Sequence, residues 1–300
     1  MIDATKLEFY GLRLPIVEFK TDFNKLLFRY FFEANIDLKN NDVLVITSKY
    51  VLKAMGLVVN VSKVHPGFRA KLISRFIGKD PVETQIVLDN SQKVLSFSTV
   101  GFLSPYIKDL GKEPEKAKRA LKETHKSILF TITKNGFIST DSGLDYSNVP
   151  EGYAVVNACD FDKIAQEIRS GLNERFNINI AVVITDTEFT LSNGKFGTLD
   201  FAVGSSGINV ITREFGSLDL YGRPKFGGID IVVDEISAAA ALLMKQTNEG
   251  IPAVLIRGLE YERSEEGVKG LLITGYRKTA RKVIFKMIVL SLLAKIFRIL

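Results

Sequence analysis

The chain has 300 residues, 46% hydrophobic and 25% charged, enough for one large domain or two smaller ones with a sizeable core. Its net charge of +6 is misleading, because residues 276–300 carry seven cations and no acid and leave the rest at −1, which excludes a general basic footprint for nucleic acid. One cysteine, Cys159, excludes an intrachain disulfide and a multi-cysteine zinc site; with only His65 and His125 in the chain, and neither close to it in sequence, it reads as a small buried filler.

Met1-Ile-Asp-Ala-Thr-Lys-Leu-Glu8 is acidic and mixed and has no signal-peptide pattern, so a cytoplasmic protein is expected. Phe23 to Ala34 is apolar at helical spacing, and Asp42-Val-Leu-Val-Ile-Thr-Ser48 is a β-branched run that predicts a strand ending in hydroxyls. Gly78-Lys-Asp-Pro-Val-Glu83 is a helix start, with Asp80 as N-cap, Pro81 at the first position and Glu83 closing a capping box; the helix is expected to reach about Leu95. Gly111-Lys-Glu-Pro114 echoes that opening and predicts a second helix to about Leu129.

Leu129 to Thr133 and Gly136 to Ser139 read as strand around a polar turn. Asp160 to Phe176 reads as helix, and Asn177 to Thr185 as a strand that stops at Asp186. The glycine-rich stretch 187–231 reads as strands and tight turns, Asp234 to Lys245 as helix, and Ile251 to Arg257 as a strand opening with Pro252. Helices and strands are intermixed without strict alternation, which predicts an α+β or mixed α/β body over 1–275. The basic, apolar segment 276–300 has too short an uncharged run to span a bilayer; a packing helix, a membrane-surface contact and an anchor stay open for it.

No GxxxxGK[ST] loop is present, Gly204-Ser-Ser-Gly207 lacks the GxGxxG spacing, and two isolated histidines argue against a Ser/His/Asp triad. What remains is acid, hydroxyl, amide and lysine: Ser48-Lys49 with Lys53, Asp145 with Asn148, Asp186-Thr187, Asp234-Glu235 and Met244-Lys-Gln246. Oxygen ligands beside a hydroxyl and an amide suit a hard cation such as Mg²⁺, and a cation so held commonly serves phosphates. Each group also has a plainer reading. Asp145 and Asn148 fit turn chemistry, Asp186 an N-cap, the lysines a solvated face, and Asp234-Glu235 the first turn of a helix.

In order along the chain, these segments resemble the coenzyme F420-0:L-glutamate ligase family. The resemblance is carried by Val43-Leu-Val-Ile-Thr-Ser-Lys49 with Lys53-Ala54 and Gly56, Gly78-Lys-Asp-Pro81, Thr133-Lys-Asn-Gly-Phe137, and Ser142-Gly-Leu-Asp145-Tyr-Ser-Asn-Val149. It continues through Ile184-Thr-Asp-Thr187, Asp200-Phe-Ala-Val-Gly204, Asp219-Leu-Tyr-Gly-Arg223, Asp234-Glu235 and Ile256-Arg-Gly258, covering roughly residues 10 to 260. It implies that family's fold and an enzyme joining L-glutamate to F420-0 or a related phosphate-bearing acceptor, with GTP as co-substrate and Mg²⁺ or Mn²⁺ as cofactor, through an acyl phosphate.

The resemblance further implies that Asp145 and Asp186 hold one cation and Thr187 and Gln246 a second. Ser48, Lys49, Lys53, Asn148, Met244, Lys245 and Thr247 would meet the nucleotide, as would Leu14, Pro15 and Ile16; no acid, base or nucleophile is assigned by it. It implies a homodimer as well. The chain departs from the family pattern at Met55, Asn135, Asp141, Lys245, the segment Glu188-Phe-Thr-Leu-Ser-Asn-Gly-Lys195 and a stretch around 97–120. Asp141 is expected to add negative charge near the cation, and Lys245 to crowd the nucleotide. A family-like nucleotide- or cofactor-binding protein without ligase activity, and an interaction protein working through its tail, are the alternatives.

Overall fold

The computed structural model describes residues 6–99, 113–123, 127–190, 197–212, 215–226, 228–245 and 247–272. The segment 276–300, His125, Lys195 and Gln246 therefore lie outside the described residues. Residues 1–269 form one compact unit.

Three apolar runs make the centre of a five-stranded mixed sheet. They are β2 (Val43–Thr47), β8 (Ala181–Thr190) and β10 (Ala253–Arg257); β1 (Glu8–Leu12) and β9 (Gly197–Ser206) form the edges in the order β1-β10-β2-β8-β9. Only β2 and β8 run parallel. Val43, Leu44, Val45 and Ile46 are all fully buried, which explains a continuous apolar run without alternation: both faces of the strand are covered. On one face Leu44, Ile46, Val182, Ile184 and Leu255 pack with α1 (Phe23–Glu33), α2 (Ser48–Met55) and α6 (Phe161–Phe176). On the other, α7 (Val232–Met244) lies across β9 and β10. Where β10 ends, Arg257 donates two bonds to buried Asp42, at 2.9 and 2.7 Å, closing the sheet corner with a bidentate pair.

A second sheet has the order β4-β5-β6, built from β4 (Ser91–Thr99), β5 (Ser127–Thr133) and β6 (Ile138–Thr140). It carries α3 (Phe68–Ile77) and α4 (Pro81–Asp89). A small ribbon pairs β3 (Val59–Asn60) with β7 (Tyr153–Ala154), and α5 spans Pro114–Glu123. The mixed α/β expectation holds.

Several boundaries differ from the sequence reading. The helix opening at Pro81 has its expected cap, with Asp80 accepting from Val82 and Glu83, but it stops at Asp89. Ser91 to Thr99 instead pairs antiparallel with β5, because hydroxyls alternating with apolar residues favour a sheet edge over another helical turn. The helix from Pro114 likewise ends at Glu123, not near Leu129. The strand expected to stop at Asp186 runs on to Thr190, with β9 paired alongside it, so the N-cap reading of Asp186 is set aside.

Candidate active site

Strand β2 passes into α2 with no loop: Thr47 is the last strand residue and Ser48 the first helical one. Parallel register sets Thr47 opposite Thr185, which brings Ser48 beside Asp186. Ser48 Oγ donates to Asp186 Oδ1 at 2.7 Å, and Asn157 Nδ2 donates to Oδ2. Burial, reinforced by the Glu188 and Asp145 carboxylates and only partly offset by Ser48 and Asn157, pushes the Asp186 carboxyl up to about 6. Just before it the pairing shifts, with Ile184 opposite Gly204 and Thr185 opposite Ala202, so that Val203 of β9 is the extra residue.

Asp145 arrives from the second sheet. The turn before it holds Asp141 and Ser142 at φ 48° and 55°, the left-handed region that side chains other than glycine rarely adopt. Asp145 then bridges Val155, takes the Ser147 N–H at 2.7 Å, and pairs with Lys49 Nζ at 2.5 Å. Burial raises its carboxyl, but Lys49 and Ser147 outweigh that and hold it below the usual range. Lys53 Nζ donates to the Asn148 carbonyl at 3.1 Å, and burial and the neighbouring Lys49 charge lower its ammonium. Asn148, at φ 56°, donates to the Thr247 carbonyl at 3.0 Å and so fastens this turn to the segment after α7.

These groups line one cavity of about 830 Å³, a size that takes a nucleotide with room for a second ligand. Leu14, Pro15 and Ile16 line its rim, and Met244 and Thr247 another side. Thr187 is also in the wall, donating to Asp200 Oδ1 at 2.8 Å. Lys245 is the exposed residue that ends α7, also left-handed at φ 55°, and is not among the residues that line the cavity. Asp234 accepts from the Ala202 N–H in the first turn of α7, its structural reading.

Asp141 corrects the sequence reading. Its carboxylate does not enter the cavity. It is buried beneath, where Lys79 Nζ pairs with it at 2.9 Å and the Leu129 N–H donates to it at 2.9 Å, so the added charge is neutralised locally. Asn135 binds the Cys159 carbonyl in the β5–β6 turn, and Met55 packs against the main core, both away from the lining. Burial pushes the Cys159 thiol up to about 12, which argues against a nucleophile. Asn157, Glu188 and Asp200 were missed as site residues; a sequence with no visible register gives no signal that Asp200 faces Thr187.

Among the described residues no three His, Cys, Asp or Glu converge as a ready cation cage. Asp145 and Asp186 nonetheless face one cavity with the Thr187 hydroxyl nearby, and Asp186 is a poorly compensated buried carboxylate. That oxygen donor set fits a hard cation whose remaining ligands come from water or phosphate.

The profile of the family described as F420-0:Gamma-glutamyl ligase matches residues 11–258. A coenzyme F420:L-glutamate ligase of Methanothermobacter thermautotrophicus is 31% identical over 261 residues, covering 86% of this chain and 92% of the relative. The Archaeoglobus fulgidus protein of the same name is 32% identical over 265 residues, covering 84% and 91%. That of Methanopyrus kandleri is 30% identical over 231 residues, covering 76% and 80%. A mixed α/β body with one large cavity lined by acids, lysines and hydroxyls, and relatives of this kind, define a ligase. The chain belongs to the F420-0:gamma-glutamyl ligase family.

Proposed function

We propose that this enzyme joins L-glutamate to coenzyme F420-0, or to a related phosphate-bearing acceptor, at the expense of GTP. The observation that carries the reading is that two lysines of α2 and two carboxylates, Asp186 on β8 and Asp145 after β6, face one cavity large enough for nucleotide and acceptor. Lys49 and Lys53 supply point charges for phosphate oxygens, and their mutual repulsion in a half-buried wall is relieved when an anion enters. The start of α2, with no acid in its first turn and no side-chain cap, turns the positive end of its dipole to the same wall. Asp145 and Asp186 would hold a divalent cation, with Thr187 beside them, and Mg²⁺ or Mn²⁺ would supply charge neutralisation at the phosphates.

In this reading the terminal phosphoryl group of GTP passes to an acceptor carboxylate oxygen and GDP leaves. The glutamate amine then attacks the activated acyl carbon and inorganic phosphate departs, leaving an amide. The test is an assay of the full chain with GTP, Mn²⁺ or Mg²⁺, L-glutamate and F420-0, following GDP, phosphate and the mass of the product. Product one glutamyl residue heavier is expected, and Asp186→Asn is expected to weaken cation and nucleotide binding together, by at least about tenfold. Retention of both by Asp186→Asn removes the site assignment. Metal-dependent GTP binding without phosphate release favours the binding-protein alternative.

A further inference from the structure

Asp186 lies on β8 and Asp145 on the segment that follows β6; adjacent residues of α2, Ser48 and Lys49, tie the two carboxylates from one side, and a second tie runs between β6 and β8 themselves. Glu188, two residues beyond Asp186 on β8 and therefore on the same strand face, reaches the edge of the second sheet. Its Oε2 accepts from Ser139 Oγ at 2.6 Å and the Thr140 N–H at 2.9 Å. Its Oε1 accepts from Thr140 Oγ1 at 2.6 Å and the Phe189 N–H at 2.8 Å. All four acceptor positions of the carboxylate are in use, so Glu188 is poorly placed to serve as a cation ligand itself. Thr140 is the last residue of β6 and opens directly into the left-handed turn that delivers Asp145.

We propose that Glu188 is a positioning residue: by clasping the end of β6 to β8 it sets the separation of the Asp145 and Asp186 segments, and with it cation affinity in the nucleotide complex. This rests on the cavity being a cation–nucleotide site. The sequence made the clasp look like a loss, because Glu188 opens the segment that departs from the family pattern. Its geometry makes it a support for the residues that are kept.

The experiment compares wild type, Glu188→Ala and Glu188→Gln as full chains, titrating Mn²⁺ in the presence of GTP and measuring turnover against Mn²⁺. Glu188→Ala is expected to raise the Mn²⁺ concentration for half-saturation by about 10- to 100-fold, with kcat at saturating Mn²⁺ within about threefold of wild type. Glu188→Gln, which keeps one acceptor oxygen, is expected to fall between. A merely structural role lowers the active fraction and kcat and leaves the half-saturating concentration unchanged; that outcome overturns the proposal. A wild type that binds Mn²⁺ and GTP alongside an unaffected Glu188→Ala overturns it too. A wild type that binds neither sinks the reading of the cavity, and the proposal with it.

Discussion

Asp186 carries a carboxylate that its surroundings disfavour. Its carboxyl stands near 6 in the fold against 3.8 when unperturbed, so between those values the folded protein holds a proton that the unfolded chain does not. The metal-free protein therefore gains stability from this group as pH falls from 6 towards 4, the reverse of an ordinary paired acid. Urea denaturation in EDTA at pH 4.5 to 7.5 should show Asp186→Asn without that slope and more stable than wild type at pH 7, by up to about 3 kcal/mol. A variant less stable at pH 7 shows that Ser48 and Asn157 compensate the charge fully. At this scale the sequence was generous: nearly all the predicted site residues within the described segments meet in one cavity. It was silent on Asn157 and Asp200, whose roles depend on which strand lies opposite.

At the scale of elements, backbone meets backbone closely where α6 packs on β9. A Cβ on Gly204 would sit 2.4 Å from the Phe161 carbonyl carbon and 2.5 Å from its Cβ, so the start of the helix rests on bare strand backbone. Gly204→Ala must push α6 outward and is expected to cost about 1–3 kcal/mol by chemical denaturation. A cost near zero means the helix start yields freely. Capping signals were readable here, as at Asp80 and Asp160, because they are local. The stops at Asp89 and Glu123 were not, because a partner strand decides them. Helices α2 and α3 escaped the reading, α2 because it is only eight residues long and follows β2 directly.

For the whole molecule, charge and fold are distributed differently. The family match ends at residue 258 and the compact unit at Lys269, whereas the cations that make the chain basic follow Gly275. Removing residues 277–300 is expected to leave the melting temperature within about 2 °C and the turnover unchanged, while moving the isoelectric point from about 9.2 to below neutrality. Isoelectric focusing, a thermal melt and the ligase assay check this, and lost turnover makes the tail part of the working enzyme. Sheet order was the least legible property. Three apolar runs announce buried strands, but nothing in them says that β2 pairs with β8, 138 residues from Ser48 to Asp186.

The continuation of β8 past Asp186 has a consequence for how this chain can change over evolutionary time. The ladder runs on through Thr187, Glu188, Phe189 and Thr190, each with its own partner on β9. At about 3.4 Å per residue, that sets roughly 14 Å of paired backbone between Asp186 and the end of the strand at Thr190. Changes of length in the segment after Thr190 can accumulate while Asp186 keeps its address, because the paired backbone between them holds the strand in register.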